Sequence, residues 1–166
     1  MKLLKTVRAD PSDTFVFERA AEPGEWAVSG AFAFDHLDLA SLAGKARAAF
    51  RGGFLGIDSL GRSTLVQVVE ASDQECREAT ELLTKRLVES FGAPDPATAR
   101  PAAEEEIAFA ASLSHHPVGM LVAVARRYEN GETHESFRTL SPRMATGPIR
   151  VFAMQEISGE GGRSEE

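Results

Sequence analysis

The segment MLVAVARRYENGETHESFRTL, Met120 to Leu140, constrains the fold more than any other part of the chain. Two runs with strand character flank a two-residue Asn-Gly loop, and that pair of residues accepts the positive φ angles of the tight turn whose twist matches a β-hairpin. A two-residue loop also sets the register. It pairs Glu129 with Glu132, Tyr128 with Thr133, Arg127 with His134 and Arg126 with Glu135. Side chains alternate across a strand, so Val122, Val124, Phe137 and Thr139 share one face, assigned to the core. Ala123, Ala125, Arg127, His134, Ser136 and Arg138 share the other.

Further strands are expected over residues 3–9, 14–18 and 26–34, separated by the turn signals DPSD and EPGE. Together they read as an antiparallel meander. FLGIDS and STLVQVVE read as the arms of another hairpin, and residues 149–157 as a last strand. Three helices complete the set. The first begins after Asp38 as cap and stops at Gly52-Gly53. The second opens at Ser72-Asp73-Gln74-Glu75 with capping-box spacing and carries Cys76, Ala79, Leu82, Leu83, Leu87 and Phe91 on one face. The third spans about Pro101 to Ser114, with Glu104, Glu105 and Glu106 as a solvated first turn and Ile107, Ala110 or Ala111 and the region of Leu113 facing inward. The expected fold is α+β: a mostly antiparallel sheet of about seven or eight strands packed with three helices, as a single domain over residues 1–157. Residues 158–166 read as a disordered acidic tail.

Composition bounds function. With 166 residues, 43% apolar and 26% charged, the chain can bury one ordinary core. A net charge of −7 without a dense Lys/Arg stripe argues against nucleic acid as a partner. No eighteen-residue apolar run is present, so neither a membrane nor a secretory route is expected, and the expected location is the cytosol. The lone Cys76 reads as a buried, inert thiol.

The stretch GIDSLGRST, Gly56 to Thr64, imitates a phosphate-binding loop, with two glycines five apart followed by Arg62-Ser63. Such a loop works only between a strand and a helix, where backbone N–H groups and the helix N-terminus meet the phosphate. Here a β-branched strand run follows, so a hairpin turn at Leu60-Gly61-Arg62 is expected, with Gly61 supplying a positive φ. His115-His116 lack ligand spacing and read as a helix-end cap or as solvent-exposed side chains, and Asp35 to Asp38 read as a turn and cap. Neither metal nor cofactor is expected.

One constellation remains. Arg127, His134, Ser136 and Arg138 surround the small side chains of Ala123 and Ala125 on the outer hairpin face, and this arrangement suits a carboxylate or phosphate. An ordinary polar sheet face accounts for the same residues. Two functions follow: a noncatalytic accessory protein binding a protein partner or small anion, and a small enzyme acting on an anionic metabolite around Arg127, His134 and Arg138. The oligomeric state is open.

The strings DPSDTFVFERAAEPGEWAVSGAF (Asp10 to Phe32), KARAAFRGGFLGIDSLGRSTLVQVVEA, AEEEIAFAASL and ESFRTL together resemble a family of short, uncharacterised bacterial proteins of unknown function. The resemblance spans most of the chain. It implies a bacterial, single-domain protein and brings no catalytic residue or ligand with it.

Overall fold

The computed structural model describes residues 1–8, 11–141 and 154–157. Among the described residues, eight strands form one antiparallel sheet: β1 (Lys2–Val7), β2 (Trp26–Val28), β3 (Phe54–Gly56), β4 (Arg62–Ser63), β5 (Leu65–Glu70), β6 (Leu121–Glu129), β7 (Glu132–Leu140) and β8 (Met154–Ile157). Their order is β4-β3-β2-β1-β5-β6-β7-β8. The N-terminal strands are therefore a meander, as their turn signals require. Among the described residues, four α-helices accompany the sheet: the single-turn α1 (Asp13–Val16), then α2 (Gly44–Gly52), α3 (Asp73–Ser90) and α4 (Pro96–Ser112). The fold is α+β, with three helices longer than one turn.

The sheet is strongly curled. Four strands separate β3 from β7, which in a flat sheet would hold them ~24 Å apart at the usual ~4.8 Å strand spacing. Yet the rings of Phe54 and Phe137 lie 6.2 Å apart. Right-handed twist accumulated across the sheet brings its two ends over one concave face. That face carries Leu4, Ala27, Val66, Val68, Val122 and Val124, all buried. Helix α4 fills it, with Phe109 edge-on to Phe137 at 5.7 Å, and α3 packs on the outside of α4.

The expected boundaries fail in five places. Residues 14–18 are not a strand: Asp13–Val16 form one helical turn, because Asp13 turns inward and accepts hydrogen bonds from the N–H (3.2 Å) and hydroxyl (2.7 Å) of Thr64. The strand from Trp26 ends at Val28, since Gly30 takes φ 78° and starts a 3-10 turn over Ala31–Phe34. Asp38 caps only the short turn Leu39–Ser41, accepting from the Ser41 hydroxyl, and Gly44 at φ 61° delays α2. Helix α4 begins at Pro96 rather than Pro101, because Asp95 caps it by accepting from the Thr98 N–H at 2.8 Å and Pro96 suits the first turn. Glu106, two turns further on, is consequently buried instead of solvated. The expected 63–70 strand is broken at Thr64 into β4 and β5.

Helix α3 matches its sequence signature: the Ser72 hydroxyl accepts from the Glu75 N–H, and the Glu75 carboxylate accepts from the Ser72 N–H. Ala79, Leu83 and Leu87 on its inner face are buried, while Cys76 is only half-buried, against the Met1 thioether. The expected tail at 158–166 and most of the expected last strand lie outside the described residues.

Candidate functional site

Strands β6 and β7 pair in the register set by the Asn130-Gly131 turn, from Glu129 with Glu132 to Leu121 with Leu140. Arg127 faces His134, Ala125 faces Ser136 and Ala123 faces Arg138, so the four expected site residues share the outer face of the hairpin. Two of the cations there have an acidic neighbour. Arg127 Nε donates to Glu129 at 3.2 Å, both side chains being more than half exposed. His134 Nε2 is 3.8 Å from Glu132. Arg138 stands opposite Glu156 in the β7–β8 register. Around Arg127 and His134 an anion on the outer face would compete with the carboxylates of Glu129 and Glu132.

The opposite face carries more unusual chemistry. Alternation places Arg126 with Val124 and Glu135 with Phe137, and the two charged side chains are 0% and 1% exposed. Arg126 Nε donates to Glu135 Oε2 at 2.8 Å, and its Nη atoms donate to the carbonyls of Phe50 (2.8 Å), Gly53 (3.1 Å) and Ser29. The Ser29 hydroxyl accepts from Arg126 and donates to Glu135 Oε2 at 2.7 Å. A buried charge pair costs less when its remaining donors find carbonyls, and this one is tied to Ser29 just after β2, to α2 and to β7 at once. The signal for it is present in the register: residues 122, 124 and 126 share a face, as do 135, 137 and 139.

Arg62 lies beside this pair. The turn after Gly56 does not cradle a phosphate, since Leu55 pairs with Arg62 and the guanidinium turns inward. Its Nη atoms donate to the carbonyls of Gly53 (3.2 Å) and Gly30 (3.4 Å), and it stacks on Phe34 at 4.7 Å. Burial, and then the nearby Arg126, pull its pKa down to about 9. Glycines create the space: a Cβ on Gly30 would sit 2.8 Å from Arg62 Nη1, and one on Gly53 would press on the Arg62 stem at 3.2 Å. In the turn itself Leu60, not Gly61, takes the positive φ (61°). Gly61 is required for proximity, because a Cβ there would meet the Ala20 backbone at 2.6 Å.

Elsewhere the surface presents Phe15, 73% exposed, and Val16 beside it on α1. A shallow open groove runs along α3, lined by Gln74, Arg77, Glu78, Glu81, Leu82 and Lys85. Among the described residues, no group of three His, Cys, Asp or Glu side chains is arranged to hold a metal, and no helix is long and apolar enough to cross a membrane. His115 is exposed, and the His116 carbonyl accepts from Lys2 Nζ at 2.7 Å.

Comparison with curated proteins and with solved structures finds no match. The model of a family of unknown function, DUF6505, matches residues 1–158, and the chain belongs to that family.

Proposed function

We propose that this is a noncatalytic accessory protein of the bacterial cytoplasm that binds a protein partner through the apolar surface at α1. The observation that carries the reading is Phe15, 73% exposed on a turn in which Asp13 is buried and bonded to Thr64. Exposing a large ring to water is unfavourable, and a pinned backbone lowers the ordering entropy that binding must overcome. Aromatic side chains of this kind supply the energetic centre of protein interfaces.

The test is photo-crosslinking in a bacterial host that expresses the protein naturally, from a probe residue at exposed Thr14, with a probe at Glu78 on α3 as control. The expected result is a discrete protein adduct from position 14 that the Phe15→Ser variant loses without a change in melting temperature. Adducts of equal pattern from both positions, or none from position 14, refute the reading.

The shared outer face of Arg127, His134, Ser136 and Arg138 supports a second reading, in which a small anion is bound there or an anionic metabolite is turned over. Calorimetry with inorganic phosphate tests it. Heat of binding abolished by Arg138→Ala supports this reading, and absence of heat removes it.

A further inference from the structure

Acidic residues outnumber basic ones in this chain, 25 against 18, yet the stretch from Leu39 to Ile57 holds none. Its charged residues are Lys45, Arg47 and Arg51, all cations, all on α2 and all exposed. Helix α2 is a positive surface on a negative protein. The groove along α3 differs, since Arg77 and Lys85 there are interleaved with Glu78 and Glu81.

The single-turn α1 lies directly against α2, with Cα atoms of the two elements within 8 Å of each other. At 1.5 Å per residue the 9 residues of α2 extend only ~13.5 Å. Its cations and the exposed Phe15 and Val16 of α1 are therefore within reach of one extended segment of about eight residues, ~26 Å long. The apolar end of that path is fixed, because Asp13 holds α1 to Thr64.

Resting on the reading of α1 as a partner-binding surface, we infer that the partner docks through an acidic segment. An apolar side chain of that segment packs on Phe15 and Val16, while Asp or Glu residues beside it meet Lys45, Arg47 and Arg51 on α2. Arginine forks suit carboxylates, which they hold through two parallel N–H···O bonds. An anionic membrane offers similar local chemistry, but it is a broad plane that faces much of the molecule. A net charge of −7 opposes approach to such a plane. A short segment senses chiefly the cations within about one Debye length, ~8 Å, and so favours the acidic peptide.

The test adds a second photo-crosslinking probe at exposed Ala46, between Lys45 and Arg47, to the probe at Thr14. The same protein adduct is expected from both positions, with a crosslinked peptide rich in Asp and Glu. The Lys45→Glu/Arg47→Glu/Arg51→Glu variant should lower the yield from position 14 at least about tenfold, as the loss of three exposed ion pairs implies. An adduct from position 14 that is missing from position 46, that carries no excess of Asp and Glu, or that survives charge reversal overturns the inference and leaves the α1 reading standing. The comparison of positions 14 and 46 uses unreversed α2 charges, so it decides even where the triple variant fails to fold. No adduct from position 14 refutes the α1 reading itself. Sedimentation with phosphatidylglycerol vesicles that is lost in both Phe15→Ser and the triple variant assigns the surface to a membrane and overturns the inference.

Discussion

Replacing Glu135 by Gln isolates the charge of the buried pair, because Gln keeps the shape of the side chain and an oxygen able to accept from Arg126 and Ser29. What disappears is the single negative charge bonded between β7 and the cations. At charge-centre separations of about 4 Å and an effective dielectric constant of about 20, a unit pair is worth ~4 kcal/mol. Removing one partner of a buried pair costs about 3–5 kcal/mol in practice, because the other charge stays desolvated. Here the orphan would be Arg126, whose guanidinium shares the Gly53 carbonyl with Arg62. Glu135→Gln should therefore lower unfolding free energy by about 3–5 kcal/mol in urea titrations at neutral pH, with m unchanged. Adding Arg126→Met to the Glu135→Gln variant should restore part of that loss, since two uncompensated charges are worse than one. A Glu135→Gln loss under about 0.5 kcal/mol, typical of surface sites, would refute the assignment of these residues to the core face.

Three further outcomes test the register, the turn and the buried cation. Phe137→Ala should cost about 3–5 kcal/mol while Arg127→Ala stays within about 0.5 kcal/mol, measured by thermal or urea unfolding; the reverse order would place the hairpin one residue out of register. Gly61→Ala should destabilise by about 1–3 kcal/mol through its clash with Ala20 rather than through backbone strain, so Gly61→Ala melting like the parent protein refutes the close approach. Burial pulls the Arg62 pKa down to about 9, well below the ordinary arginine value, so above about pH 9 the unfolded state holds more protons and stability rises with pH. Arg62→Met should flatten that rise relative to the parent in urea titrations from about pH 8.5 to about pH 10.5, and parallel curves would show that Arg62 is not buried as a charge.

Legibility differs between elements that carry their own instructions and elements defined by distant partners. The Asn130-Gly131 turn sets its register through backbone twist alone, and the capping box at Ser72 is closed within four residues, so both are visible in sequence. Asp13–Val16 looks like a strand because Phe15 and Val16 favour extended structure, but Thr64, far along the chain, holds Asp13 in a helical turn. At α4 one local rule overtakes another: Pro101 fits a first turn, but Asp95-Pro96 supplies a better start.

The buried charges show why the site is harder to see than the fold. Hairpin register puts Arg126 opposite Glu135, and alternation puts both on the side of Val124 and Phe137; two charged residues on a core face are the mark of a buried pair. What sequence cannot supply is the curl that brings Ser29, Phe50 and Gly53 to the far end of the same sheet, where their carbonyls replace the water around Arg126. Arg62 depends on the same closure. On a flat sheet it would be an exposed side chain at an edge strand, harmless and uninformative. Only when the curled sheet lays α2 and the Gly30 turn against it does its charge become a constraint, met by the carbonyls of Gly30 and Gly53 and the face of Phe34.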